Sequence, residues 1–181
     1  MTNSDEPYFI AEISSNHNQS LERIEELIIT SKSLGFHAVK FQIFKIEELF
    51  SKEVLSSSPE HLARKAWELP KEFIPKIYQI CKDTKIDFGI TPFYLDAVKE
   101  NEKYVDFFKI ASYELLWLDL ISACSKTNKP LILSSGMANI NEIIEFEVAV
   151  LVAHEFGFKV LKPKSDSAKT LKSDFDPSNL N

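Results

Sequence analysis

The sequence predicts an α/β fold in which a parallel β-sheet is wrapped by helices. Three observations carry this. Short apolar runs alternate with longer segments of helical periodicity. The runs are nearly continuous in apolar residues, as parallel strands covered on both faces require. A polar residue stands at or near the carboxyl end of each run, where parallel-barrel enzymes gather their chemistry.

Tyr8–Ile13 (YFIAEI) reads as the first strand. Leu21–Leu34 then places Leu21, Ile24, Leu27, Ile28 and Leu34 on one helical stripe. Ser20 is the expected N-cap, with Arg23 where a capping-box acid would stand, and Gly35 is the stop. His37–Phe44 (HAVKFQIF) is the second strand. Lys45–Pro70 is a long connection with Ser-rich and acidic patches. Lys71–Thr84 is a helix with Phe73, Ile74, Ile77, Ile80 and Cys81 on one side. Asp87–Thr91 (DFGIT) is the third strand, ended by Pro92, and Tyr94–Lys103 is a short helix. Asp106–Ala111 (DFFKIA) is the fourth strand, Leu115–Thr127 a helix and Pro130–Ser134 (PLILS) the fifth strand. Asn141–Phe156 is helical, with a possible sixth strand at Phe158–Leu161. The polar, aperiodic stretch 162–181 reads as a disordered tail. The expectation is one domain over 1–161 and a tail over 162–181.

Two topologies fit this alternation: an open doubly wound sheet and a barrel. No Gly-rich loop follows the first strand, which weighs against a dinucleotide-binding version of the former. An eight-stranded α/β barrel takes about 250 residues, so with 181 residues any barrel is short.

The 44% hydrophobic and 27% charged content suits a globular domain with its own core. A net charge of −6 argues against nucleic acid, which needs a basic face. No apolar run approaches the ~20 residues of a membrane span. The start, MTNSDEPYFIAEI, has neither the basic residues nor the apolar stretch of a signal peptide. A cytoplasmic protein is therefore expected. Cys81 and Cys124 fit no metal or disulfide spacing and read as buried thiols.

The polar residues at strand ends are the candidate site. Lys40 interrupts AVKFQIF and Lys109 interrupts DFFKIAS. Two lysines at matching places on two strands would repel in one mouth unless an anion, a phosphate or carboxylate, lay between them. The alternative for each is a solvated or paired cation. Glu12 and Glu114 follow apolar strands and suit proton transfer in such a mouth; Glu12 otherwise pairs with Lys40 or Lys109. Asn16 and His17 lie on a polar loop after the first strand, with His17 as ligand, proton donor or simple hydrogen-bonding residue. Gln42, Thr91, Ser112 and Ser134 complete the strand ends. Ser134-Ser135-Gly136 offers hydroxyls and N–H groups to a phosphate, or is an ordinary turn. His37, His61 and His154 form no ligand spacing.

Taken together, IAEISSNHNQS, HAVKFQIFKIEELFS, the TPF of ITPFYLDAV, FKIASYELL and KPLILSSGMA resemble the sialic acid synthase family, which includes legionaminic, pseudaminic and spore-coat polysaccharide synthases. The motifs occur in family order over roughly residues 8–140. The resemblance implies a partial (β/α)8 TIM-type barrel of about five to six βα units, truncated relative to the family and without its antifreeze-like domain. It implies condensation of phosphoenolpyruvate with an N-acylated amino sugar aldehyde to a nine-carbon 2-keto sugar acid. On that basis Lys40, Gln42, Thr91, Lys109, Ser112 and Ser134 would hold phosphoenolpyruvate. Glu12 and Glu114 would bind the sugar and move protons. A divalent metal, Mn2+ or Mg2+, would polarise the aldehyde, but the family's ligand histidines are not found here.

The resemblance gives out soon after Met137. The chain is then half of a synthase needing a complementing chain or oligomer, or a non-catalytic remnant that binds phosphoenolpyruvate. An aldolase-like barrel with Lys109 as Schiff base is a third reading, disfavoured because neighbouring acids raise a lysine pKa. Ser14 and Gln19 stand where the family usually has glycine. A loop needing positive φ there would be strained.

Overall fold

Five parallel strands form one sheet in the order β1-β2-β3-β4-β5, from Ile10–Ser14, Ala38–Ile43, Asp87–Pro92, Phe107–Ile110 and Leu131–Leu133. The computed structural model describes residues 7–137, 139 and 141. The helices are α1 (Leu21–Ser33), α2 (Ile46–Leu49), α3 (Lys52–Ser57), α4 (Pro59–Ala63), α5 (Ile74–Thr84), α6 (Leu95–Asn101) and α7 (Leu118–Ser125). The strand order of the described sheet is not that of a doubly wound sheet. A doubly wound sheet reverses its order to put helices on both faces. Right-handed crossovers repeated in one direction put every helix on one face.

The packing agrees. Alternate residues of the strands, Val39, Phe41, Ile43, Phe88, Ile90, Phe108 and Ile110, join one core with Ile24 and Ile28 of α1, Ile77 and Cys81 of α5, Val98 of α6, and Leu120 and Cys124 of α7. Their neighbours face the other way: Ala38, Lys40 and Gln42 on β2, Gly89 and Thr91 on β3, Phe107 and Lys109 on β4. Ala38 and Phe107 are buried yet outside the helix-side core. The sheet is thus a wall with helices on one side and a mixed polar face on the other.

Local chemistry sets the helix ends. The Ser20 hydroxyl accepts from the Arg23 N–H at 3.2 Å, so the expected cap forms. Gly35 follows α1 at φ +87°, the left-handed conformation that ends helices. The predicted helix Lys71–Thr84 instead opens as a 3-10 turn over Lys71–Phe73, with α5 starting at Ile74. Pro75, lacking an N–H, belongs in a first turn. The predicted helix Leu115–Thr127 is also shorter: Ser112–Glu114 is a 3-10 turn, the Trp117 N–H bonds to the Glu114 carbonyl, and α7 begins at Leu118. The long connection 45–70 carries α2, α3 and α4.

The predicted helix Asn141–Phe156 beyond its first residue, the sixth strand Phe158–Leu161 and the tail 162–181 lie outside the described residues. Among the described residues no helix is long and apolar enough to cross a membrane.

Gly89 is fixed by a close approach. A Cβ there would overlap the Phe107 ring. Gly89→Ala is therefore expected to destabilise by about 1–3 kcal/mol through overpacking. Phe107→Leu in the same chain should recover part of the loss, as contacting residues do not add. Denaturant unfolding of the two single variants and the double variant checks both.

Candidate functional site

The site begins with the register of the strands. Glu12 of β1 lies opposite Lys40 of β2, Lys40 opposite Gly89 of β3, and Gln42 opposite Thr91. These residues share the face that carries none of the described helices. Lys40 is 3% exposed, so its ammonium must find partners inside the protein. It ion-pairs with the Glu12 carboxylate and donates to the Thr91 hydroxyl at 2.8 Å. Of the readings open for Glu12, pairing with Lys40 is the one realised. Burial pushes the Lys40 ammonium below its usual value, Glu12 opposes this, and the nearby Lys109 charge adds to the lowering.

Lys109 is the contrast. It is half-buried, and its ammonium makes no hydrogen bond or ion pair among the described residues. The structure therefore brings the two lysines into one field but gives a carboxylate only to Lys40. Glu12 keeps 43% of its side chain exposed, so it also faces the opening.

A bulge in β1 aims Glu12. The register shifts between Glu12 and Ser14, which pairs with Phe41. Ser14 has φ +52° and Gln19 φ +51°, with Asn18 at +48°. Both positions where the resemblance places glycine thus do adopt positive φ, at about 1 kcal/mol or more each for other residues. Their side chains add contacts glycine lacks. The Ser14 hydroxyl donates to Gln42 Oε1 at 2.8 Å. Gln19 Nε2 donates to the carbonyls of Lys65 and Glu68.

His17 is fully buried. Its Nδ1 accepts the Gln19 N–H at 3.0 Å, while Nε2 is buried with no hydrogen-bond partner. Burial pushes the imidazole below its usual value. The Trp67 backbone opposes this but does not reach hydrogen-bond geometry. Asn16, exposed, bonds within its own segment: Nδ2 donates to the Ile13 carbonyl and its carbonyl accepts from Arg23 Nε at 2.5 Å.

Glu114 closes the 3-10 turn after β4. Its Oε2 is buried without a partner, and burial raises its pKa above the usual carboxylate value. It pairs with neither lysine, so the two acids have separate environments. Ser112 opens the same turn, and the Ser134 N–H donates to the Ile110 carbonyl at 3.1 Å. Sequence reasoning missed the roles of Glu68 and Trp67, which carry no signal of their own in a connection read only as long, Ser-rich and acidic in patches. For Ser14 and Gln19 the missing glycines were the signal.

Among the described residues no three His, Cys, Asp or Glu side chains gather as a metal site. The Mn2+ or Mg2+ implied by the resemblance has no ligand set to be assigned here.

Residues 27–168 match the sequence profile of the NeuB family. The chain belongs to the NeuB family. This match continues beyond Met137, where the readable motifs give out, and so corrects the expectation that kinship stops there. The chain is 37% identical over 144 residues to an uncharacterized protein of Methanocaldococcus jannaschii, covering 77% of this chain and 41% of that protein. It is 32% identical over 154 residues to the pseudaminic acid synthase of Helicobacter pylori, covering 76% and 44%. The chain thus spans about two fifths of the length of the curated relatives it matches. Among solved structures, the sialic acid synthetase of Leptospira borgpetersenii, crystallised with citrate, superposes with a TM-score of 0.76 at 23% identity, over 97% of this chain and 66% of that one. That likeness shows the shared NeuB-type α/β fold.

His17 gives a pH dependence. An unfolded imidazole titrates near pH 6.5, and burial lowers the folded value. Below about pH 6.5 the unfolded chain therefore binds more protons than the folded one. Stability should be full above that point and decline as pH falls toward the folded value. His17→Gln should flatten this decline. Denaturant midpoints of both chains at about pH 7.5 and about pH 5.5 test it.

Proposed function

We propose that this chain supplies the phosphoenolpyruvate-binding wall of a (β/α)8-barrel synthase. The reaction is condensation of phosphoenolpyruvate with an N-acylated amino sugar aldehyde to a nine-carbon 2-keto sugar acid. The observation that carries this is the pair of lysines on the helix-free face: Lys40 already holds Glu12 and Thr91, while Lys109 has no partner among the described residues. An anion at Lys109 would complete the charge balance of that face. The sequential strand order supports a barrel wall, and the names of the relatives support the substrate class.

In this reading Lys109, Lys40, Thr91 and Gln42 bind the phosphate and carboxylate, with Ser112 and Ser134 at the rim. Water adds to C2 of the enol as C3 forms the bond to the aldehyde carbon. The phosphate then leaves with its bridging oxygen by C–O cleavage. Glu114, its pKa raised by burial, keeps a proton longer than an ordinary carboxyl and suits donation to the forming alkoxide. Glu12, held by Lys40 yet open to the mouth, receives a sugar hydroxyl or amide.

A second reading is a chain that binds phosphoenolpyruvate without turning it over. It is favoured by one fact: Lys40, Thr91 and Lys109 all lie on the described strands, so anion binding needs no other part of the chain. Calorimetry with phosphoenolpyruvate tests both readings. The wild type should bind, and Lys109→Met should weaken binding at least about tenfold. Phosphate release with Mn2+ and a panel of N-acylated sugars, alone and with a complementing fragment, separates turnover from binding. A folded wild type that does not bind contradicts both.

A further inference from the structure

We infer that Gln19 is a positioning residue of this mouth. Its side chain latches the segment 64–68 onto the β1–α1 loop, and its backbone holds the His17 imidazole with the proton on Nε2. The role of that mouth in anion binding rests on the reading above, but the latch itself does not.

Gln19 sits at φ +51°, a conformation in which glycine would be at ease. A glycine there would make none of the following contacts. The Gln19 amide donates from Nε2 to the Lys65 carbonyl at 3.2 Å and to the Glu68 carbonyl at 3.1 Å, joining segments 46 and 49 residues apart. Glu68 is tied in turn to the start of α2, just beyond β2, because its Oε1 accepts the Ile46 N–H at 2.7 Å. The Lys65 carbonyl also accepts the Glu68 N–H at 3.1 Å. One side chain therefore spans the two connections that leave the carboxyl ends of β1 and β2.

The backbone of the same residue fixes His17. The Gln19 N–H points at Nδ1 at 3.0 Å, so Nδ1 must present a lone pair and the imidazole proton resides on Nε2. That Nε2–H is buried and unpartnered, with the Trp67 backbone beside it. Trp67 lies between Lys65 and Glu68, the two residues that Gln19 holds. The latch thus sets where the segment lies against the imidazole. A buried donor without an acceptor does not keep its place unaided. Gln19 grips it from one side and the latched segment covers it from the other. The loop so fixed leads back through Ser14 to the bulge that aims Glu12 at Lys40.

The test uses the full chain without ligand, as wild type, Gln19→Gly and Gln19→Met. Methionine keeps the stem and removes both donors; glycine also relieves the backbone. Hydrogen exchange of the Glu68 amide should quicken by about tenfold or more in both variants. The imidazole 15N spectrum should show the Nε2–H tautomer in the wild type and keep it in both variants, because each retains the residue-19 N–H, while the Nε2 signal should shift in both as the 64–68 segment is released. A residue that only filled space would move neither signal specifically. Unchanged Glu68 exchange with an unshifted Nε2 signal in both variants, or an Nδ1–H tautomer in the wild type, would overturn the inference. If one variant fails to fold, the other decides. Phosphoenolpyruvate binding by the wild type is read separately, so failure of the binding proposal leaves the latch result standing.

Discussion

A buried ammonium cannot be left alone, and the helix-free face of this sheet is arranged around that fact. Removing Lys40 from water costs several kcal/mol, roughly, unless partners replace the solvent. Glu12 and Thr91 supply them from the strands on either side. This fixes much else. β1 must pair with β2 in the register that sets Glu12 opposite Lys40, and β3 must bring Thr91 within reach. The β1 bulge then turns the chain into the loop that carries His17 and Gln19.

The same face explains the residues that are not charged. Sequential strand order leaves it without any of the described helices, and strand residues such as Ala38 and Phe107 pack there. Gly89 is bare because the Phe107 ring lies over it. The wall is therefore part aromatic and part ionic, with the polar groups near the carboxyl ends. Binding chemistry concentrates at that end of parallel sheets because the loops there can vary while the strands hold position. Lys109 stands in this setting as a cation whose charge reaches Lys40 but which no described carboxylate balances.

Much of this was legible in the chain. The five strands announced themselves as apolar runs, and Lys40 and Lys109 as interruptions of them. Ser20 and Gly35 marked the limits of α1 by ordinary capping chemistry. The glycine positions filled by Ser14 and Gln19 foretold the strained loop. What the chain did not reveal depends on register and distance. Glu12 had two possible lysine partners, and only strand pairing chooses Lys40. Glu114 looked like its companion, yet its carboxyl is perturbed by burial alone. The apolar residues Leu115–Leu118 mimicked a helix start, but a turn takes up the first three. The contact of Gln19 with Lys65 and Glu68 crosses more than forty residues, beyond any local pattern.

If Lys40 and Lys109 act as one anion-binding pair, both ammonium groups respond to the same bound anion. The most direct measurement is 15N-edited detection of the lysine ammonium groups during titration with phosphoenolpyruvate. The two resonances, assigned by single Lys→Met variants, should shift together, and Lys109→Met should suppress the shift at Lys40. Both resonances unmoved at saturating phosphoenolpyruvate, with shifts only at exposed lysines, would contradict it.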